Sequence, residues 1–74
     1  MQIKVKLFAS LRKQVGEKEL ELNISGQKVR DVVKSLDLSE NDNFIIMING
    51  LHCKIDHPLK EGDVLSIFPM IAGG

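Results

Sequence analysis

Seventy-four residues make one domain, and a chain this short buries only roughly 60–65% of the surface it exposes when unfolded, which leaves no room for a deep substrate pocket. Ten Lys and Arg balance ten Asp and Glu, so there is no global positive field of the kind nucleic acid requires. One Cys cannot close an internal disulfide, no charged-then-apolar signal segment opens the chain, and no apolar run reaches the ~18 residues of a membrane span; the expectation is a small soluble cytoplasmic protein with neither nucleic acid nor membrane as a partner.

From Gln2 to Phe8, apolar Ile3, Val5 and Leu7 alternate with Lys4 and Lys6. That period of two predicts a strand with one buried face. Ser10 to Val15 predicts a helical turn ended by Gly16. Lys18 to Ile24 alternates again, with Leu20, Leu22 and Ile24 expected inward and Glu19, Glu21 and Asn23 outward. Ser25-Gly26 breaks this second strand. Val29, Val32, Val33 and Leu36 then fall at the spacing of a one-sided helical stripe, with Arg30, Asp31, Lys34 and Ser35 on the wet face. Three valines lower the helix propensity, so packing must hold the helix in place.

Residues 37–43 read as a polar exit loop. Phe44 to Ile48 is an almost continuous apolar run, as expected of a strand covered on most sides. Asn49-Gly50 signals a tight turn. Leu51 to Ile55 predicts a short strand, Pro58 and Lys60-Glu61-Gly62-Asp63 a loop, and Val64 to Phe68 the final strand. One main helix against one mixed sheet is an α+β two-layer domain.

The globular part is expected over 1–68, followed by a flexible tail over 69–74: Pro69-Met70-Ile71-Ala72-Gly73-Gly74. Two glycines have no side chain to bury and lose the most backbone freedom on ordering. The bland interpretation is a frayed end. The alternative is that the terminal carboxylate of Gly74 is the working group, carried on a thin protruding arm that another protein can enclose.

His52, Cys53 and His57 invite a metal interpretation, but adjacent strand residues point to opposite faces and no clear fourth ligand stands nearby. No metal site is expected. Cys53 is expected to be a small half-buried filler. No Ser/His/Asp constellation and no phosphate-binding glycine loop is present, so ATP chemistry, if any, belongs to a partner.

Four stretches carry a family resemblance: Val5-Lys6-Leu7-Phe8-Ala9-Ser10-Leu11-Arg12; Val29-Arg30-Asp31-Val32-Val33; Ile48-Asn49-Gly50 with Leu59-Lys60-Glu61-Gly62-Asp63-Val64; and Phe68 to Gly74. Their order and spacing resemble the MoaD/ThiS superfamily of ubiquitin-like sulfur carriers, closest to the molybdopterin synthase small-subunit type. Met70 stands where that type often has a second proline, Lys28 where a Ser or Thr helix cap is common, and the short link after the helix is closer to the thiamine-type carrier.

The resemblance implies a β-grasp fold with a mixed sheet of four to five strands. It also implies adenylation of Gly74 by an E1-like enzyme that uses ATP, and conversion of Gly74 to a thiocarboxylate by a sulfur donor. The sulfur acceptor would be a larger synthase subunit in molybdopterin synthesis. Thiamine thiazole formation, tRNA thiolation and cysteine synthesis stand as alternative destinations. A protein modifier conjugated through Gly74 and a β-grasp binding module with an inert tail are further alternatives.

In a β-grasp the first and last strands are adjacent and parallel. Strand parity then places Phe8 and Phe68 side by side on the outer face where the tail departs, with Lys4 and Lys6 on the same face. Two solvated phenylalanines there suggest a partner site, made of Phe8, Phe68 and the tail residues Pro69, Met70, Ile71, Ala72 and Gly73; the alternative is that one of the two rings tucks under a loop. Lys4 and Lys6 are mostly solvated charge, with a supporting role toward an acidic partner as the alternative.

Overall fold

The computed structural model describes residues 1–25, 27–38 and 44–70. Five strands, β1 (Gln2–Leu7), β2 (Glu19–Asn23), β3 (Phe44–Ile48), β4 (Leu51–His52) and β5 (Val64–Pro69), form one sheet in the order β2-β1-β5-β3-β4. The helices are α1 (Ser10–Val15) and α2 (Val29–Ser35). β1 runs parallel to β5, and every other pairing is antiparallel. This is the β-grasp.

Alternating residues of β1, β5 and β3 supply the sheet side of the core: Ile3, Val5 and Leu7; Leu65 and Ile67; Ile46 and Ile48. α2 answers with Val29, Val32 and Val33, and Leu11 of α1, Leu38 and Leu59 complete the cluster. The helical stripe is therefore buried as its spacing predicts, except that Leu36 is only half-buried. Gly16 ends α1 in the left-handed region at φ 90°, its N–H donating to the Arg12 carbonyl. Asn49 and Gly50 both take positive φ, 53° and 85°, which the two-residue turn between β3 and β4 requires.

Three elements differ from expectation. β4 ends at His52 instead of reaching Ile55. The carbonyls of Ile55 and His57 instead accept the N–H groups of Arg30 and Val29, at 2.7 and 3.0 Å. Cys53 still donates its N–H to the Ile46 carbonyl of β3 at 3.0 Å, but the first turn of a helix has N–H groups with no partner inside it, and the chain beyond Cys53 leaves the sheet to satisfy α2. Asp31 completes that end by accepting the Lys28 N–H at 2.9 Å.

In β2, Leu20 and Leu22 face inward but are only half-buried, as is Ile24 just beyond it, because β2 is an edge strand. β5 runs one residue further than expected, to Pro69, which lies opposite Phe44. Asn49 N–H bonds the Val64 carbonyl, and ladder alternation makes 45/68 the last bonded pair. The missing N–H of Pro69 therefore faces the β1 side, where β1 has already turned into α1, and no sheet bond is lost.

Candidate docking and transfer site

The parallel register pairs Leu7 with Ile67. One residue further along each chain, Phe8 and Phe68 meet. Their rings stack with centroids 4.1 Å apart and planes 12° from parallel. The expectation that they lie side by side is met, but neither is fully solvated: each covers the other, and both are half-buried.

A tight turn directs this pair. Leu11 N–H donates to the Phe8 carbonyl at 3.2 Å, and Ala9 between them has φ 53° and ψ −131°. Those angles belong to the first central position of a type II′ turn, which favours glycine. The turn sends the chain into α1 and brings Arg12 back over Phe8. The Arg12 guanidinium carbon sits 5.5 Å from the Phe8 ring centre, and its Nε–H donates to the Leu7 carbonyl at 2.8 Å. Arg12, Phe8 and Phe68 thus form a cation–aromatic–aromatic ladder. The Phe8–Arg12 spacing in the sequence was the available signal for Arg12.

β3 extends the same face. Ile45 is the cross-strand partner of Phe68 and Met47 that of Ser66, and both are half-buried. Their membership was hidden in the sequence because the Phe44–Ile48 run has no polar alternation. Lys6 on this face is exposed, whereas Lys4 pairs with Glu19 at 3.3 Å. Such an exposed pair contributes roughly 0–1 kcal/mol. Pro69 closes β5, and Met70 follows with 51% of its surface exposed. The predicted tail residues Ile71, Ala72, Gly73 and Gly74 lie outside the described residues.

The ThiS family pattern matches residues 5–74. The chain belongs to the ThiS family. Membership makes it a ThiS/MoaD-type sulfur carrier or a small archaeal modifier.

Small archaeal modifier protein 1 from Methanosarcina acetivorans is 32% identical, with a TM-score of 0.77, and the match covers 99% of this chain and 96% of that one. A putative molybdopterin converting factor subunit 1 from Pyrococcus furiosus is 29% identical over 96% of this chain and 99% of that one, with a TM-score of 0.80. Subunit 1 of the molybdopterin-converting factor of Helicobacter pylori, solved in complex with subunit 2, is 22% identical with all of both chains covered and a TM-score of 0.68.

In this ThiS-family chain Asp63 and Asn49 are structural in character. Asp63 is buried and accepts from Asn49 Nδ2 at 3.0 Å and from the Lys60 N–H at 2.8 Å. Asn49 Oδ1 in turn accepts the Val64 N–H at 3.0 Å. This clasp fixes the start of β5, at the end away from Pro69. His52 is exposed and Cys53 half-buried, and burial pushes the Cys53 thiol up from its ordinary value. A thiol held protonated is a poor nucleophile and a poor metal ligand. Among the described residues no cluster of three His, Cys, Asp or Glu side chains could hold a metal ion. Nor is any described helix long and apolar enough to cross a membrane.

Proposed function

We propose that this protein is a cytoplasmic sulfur carrier of molybdopterin synthesis whose Gly74 carboxylate is adenylated and then converted to a thiocarboxylate. The observation that carries the proposal is the family match running through to residue 74, where the sequence places Gly73 and Gly74. The likeness to the Pyrococcus furiosus converting factor supports the molybdopterin destination.

A carboxylate resists attack because its charge repels nucleophiles and oxide is a poor leaving group. Forming a mixed anhydride with the α-phosphate of ATP removes both obstacles, since pyrophosphate leaves in the first step and AMP in the second. An E1-like partner supplies the ATP site. The outer sulfur of a persulfide donor displaces AMP to give an acyl disulfide, and a second thiol then cleaves its S–S bond, leaving the thiocarboxylate on Gly74 and a disulfide on the donor. The larger synthase subunit receives it, as the Helicobacter pylori complex of subunits 1 and 2 suggests by analogy.

The roles of this chain's own residues follow from reach and shape. Phe8 and Phe68, flanked by Ile45 and Met47, offer an apolar face on which a partner can seat. Pro69 and Met70 lead the chain off that face. Six extended residues from Pro69 reach at most about 20 Å, enough for Gly74 to enter a channel while the body stays outside. Reacting atoms must approach within roughly 3–3.5 Å. Glycines at positions 73 and 74 keep the chain thin and open backbone shapes closed to other residues.

The test is the intact mass of protein recovered from its native host. Replacement of one oxygen by sulfur, mapped to the C-terminal peptide, is expected. An unmodified terminus under conditions of active cofactor synthesis refutes the carrier.

A second reading, a protein modifier joined through Gly74 to lysines of other proteins, is favoured by the 32% identity to the Methanosarcina modifier. Conjugates that survive reducing, denaturing gels and vanish when Gly74 is deleted would support it.

A further inference from the structure

β2 ends the sheet on the side away from β5. The Leu7 N–H donates to the Lys18 carbonyl at 2.9 Å and the Ile24 N–H to the Met1 carbonyl at 2.7 Å. Bonded pairs alternate in an antiparallel ladder, so the bonded pairs between these two are 5/20 and 3/22 in the β1–β2 register. Glu19, Glu21 and Asn23 therefore turn their backbone N–H and C=O groups outward, with no strand beside them among the described residues.

The side chains along this edge divide by face. Leu20, Leu22 and Ile24 pack on the core with one flank open. Glu19 and Glu21 stand exposed on the outer face. Each uses one carboxylate oxygen within the fold: Glu19 Oε1 toward Lys4 at 3.3 Å, Glu21 Oε2 toward Gln2 Nε2 at 2.9 Å.

An edge of this kind recruits another strand unless something prevents it. Self-pairing is disfavoured here. Two copies of β2 placed antiparallel set Glu21 against Glu21 or Glu19 against Glu21, and like charges directly opposite destabilise a strand pair. The same carboxylates favour an incoming strand of opposite charge.

We propose that the β2 edge binds an extended segment of a partner protein in which basic and apolar residues alternate. Its backbone pairs with Glu19, Glu21 and Asn23. Its basic side chains meet Glu19 and Glu21, and its apolar side chains cover the open flank of Leu20, Leu22 and Ile24. This surface is separate from the Phe8–Phe68 face and does not depend on the chemistry of the tail.

The test titrates the isotope-labelled full chain with a capped synthetic peptide that alternates lysine and valine over the length of β2. The expected result is chemical-shift change and slowed hydrogen exchange at the Glu19, Glu21 and Asn23 amides. A glutamate–valine peptide should bind about tenfold more weakly or worse, a difference of roughly 1.4 kcal/mol. The exposed double variant Glu19→Gln/Glu21→Gln should keep the fold and lose the preference for lysine. Silence of these amides at about millimolar peptide, equal binding of both peptides, or shifts centred on Phe8 and Phe68 would overturn the proposal. Self-association through β2 at rising protein concentration would overturn it too.

Discussion

Phe8 and Phe68 stack at 4.1 Å because each lies one residue beyond the last in-register pair of the parallel strands, Leu7 and Ile67. The stack therefore depends on a pairing between residues sixty positions apart in the chain. It joins the end of β1 to the point where β5 hands over to the tail.

Removing one ring tests both stability and recognition. Phe68→Ala deletes a half-buried side chain and an aromatic pair worth about 0.5–1.5 kcal/mol beyond its buried area. Unfolding free energy should fall by roughly 2 kcal/mol, and affinity for an adenylating or acceptor partner should fall about tenfold or more. Calorimetric titration against each partner measures the second effect. Unchanged affinity for both would remove Phe68 from the docking face.

The tail is predicted to act in chemistry and not in folding. Gly73→Val, or deletion of Gly74, should abolish activation in a pyrophosphate-release assay with the adenylating enzyme. Thermal melting should stay where it is, within the few tenths of a kcal/mol typical of substitutions away from the core. A large melting shift would show that the tail is part of the folded body.

The Asn49–Asp63 clasp carries the opposite expectation. Asp63→Ala leaves the Asn49 side-chain amide and the Lys60 N–H without their acceptor; both donors belong to exposed residues that water can reach, so each lost hydrogen bond costs its net value of about 0.5–1.5 kcal/mol. Denaturant unfolding should register a loss of about 1–3 kcal/mol for the pair. Adenylation of the surviving folded protein should be normal, because the clasp sits at the far end of β5.

Ala9 holds a backbone conformation that favours glycine. Ala9→Gly should be neutral or stabilising by up to about 1 kcal/mol, relief of strain outweighing the entropy glycine adds to the unfolded chain. Ala9→Val should destabilise and should shift the ring resonances of Phe8 and Phe68, which report whether the turn still directs the stack.

Cys53 should be slow to react. Burial favours its neutral thiol and raises its pKa above the ordinary thiol value, so alkylation of the native protein should lag behind that of the urea-unfolded chain at pH 8–9, about the ordinary thiol range. The sign for stability follows. The unfolded thiol ionises first, so folding stability attributable to Cys53 is complete below the unfolded pKa and declines as pH rises through it. Cys53→Ser should flatten that decline; an unaltered pH profile would show that other groups set it.

The sequence by itself determined the elements whose signal is local. Alternation in Gln2–Leu7 and in β5, the valine stripe of α2, Gly16 after α1 and Asn49-Gly50 between β3 and β4 each state which side of a segment is apolar or where the backbone must turn. The order of these elements, with the glycine-ended tail, carried the family resemblance. Periodicity does not say what lies above an apolar face, and only the tertiary structure decided that. It left Leu20 and Leu22 half-covered at the sheet edge, placed Ile45 and Met47 beside Phe68, and turned the chain beyond Cys53 away from the sheet to satisfy the first turn of α2. It also turned two phenylalanines expected in water into a stacked pair that shields itself, because the parallel register, a contact between the two ends of the chain, set them face to face.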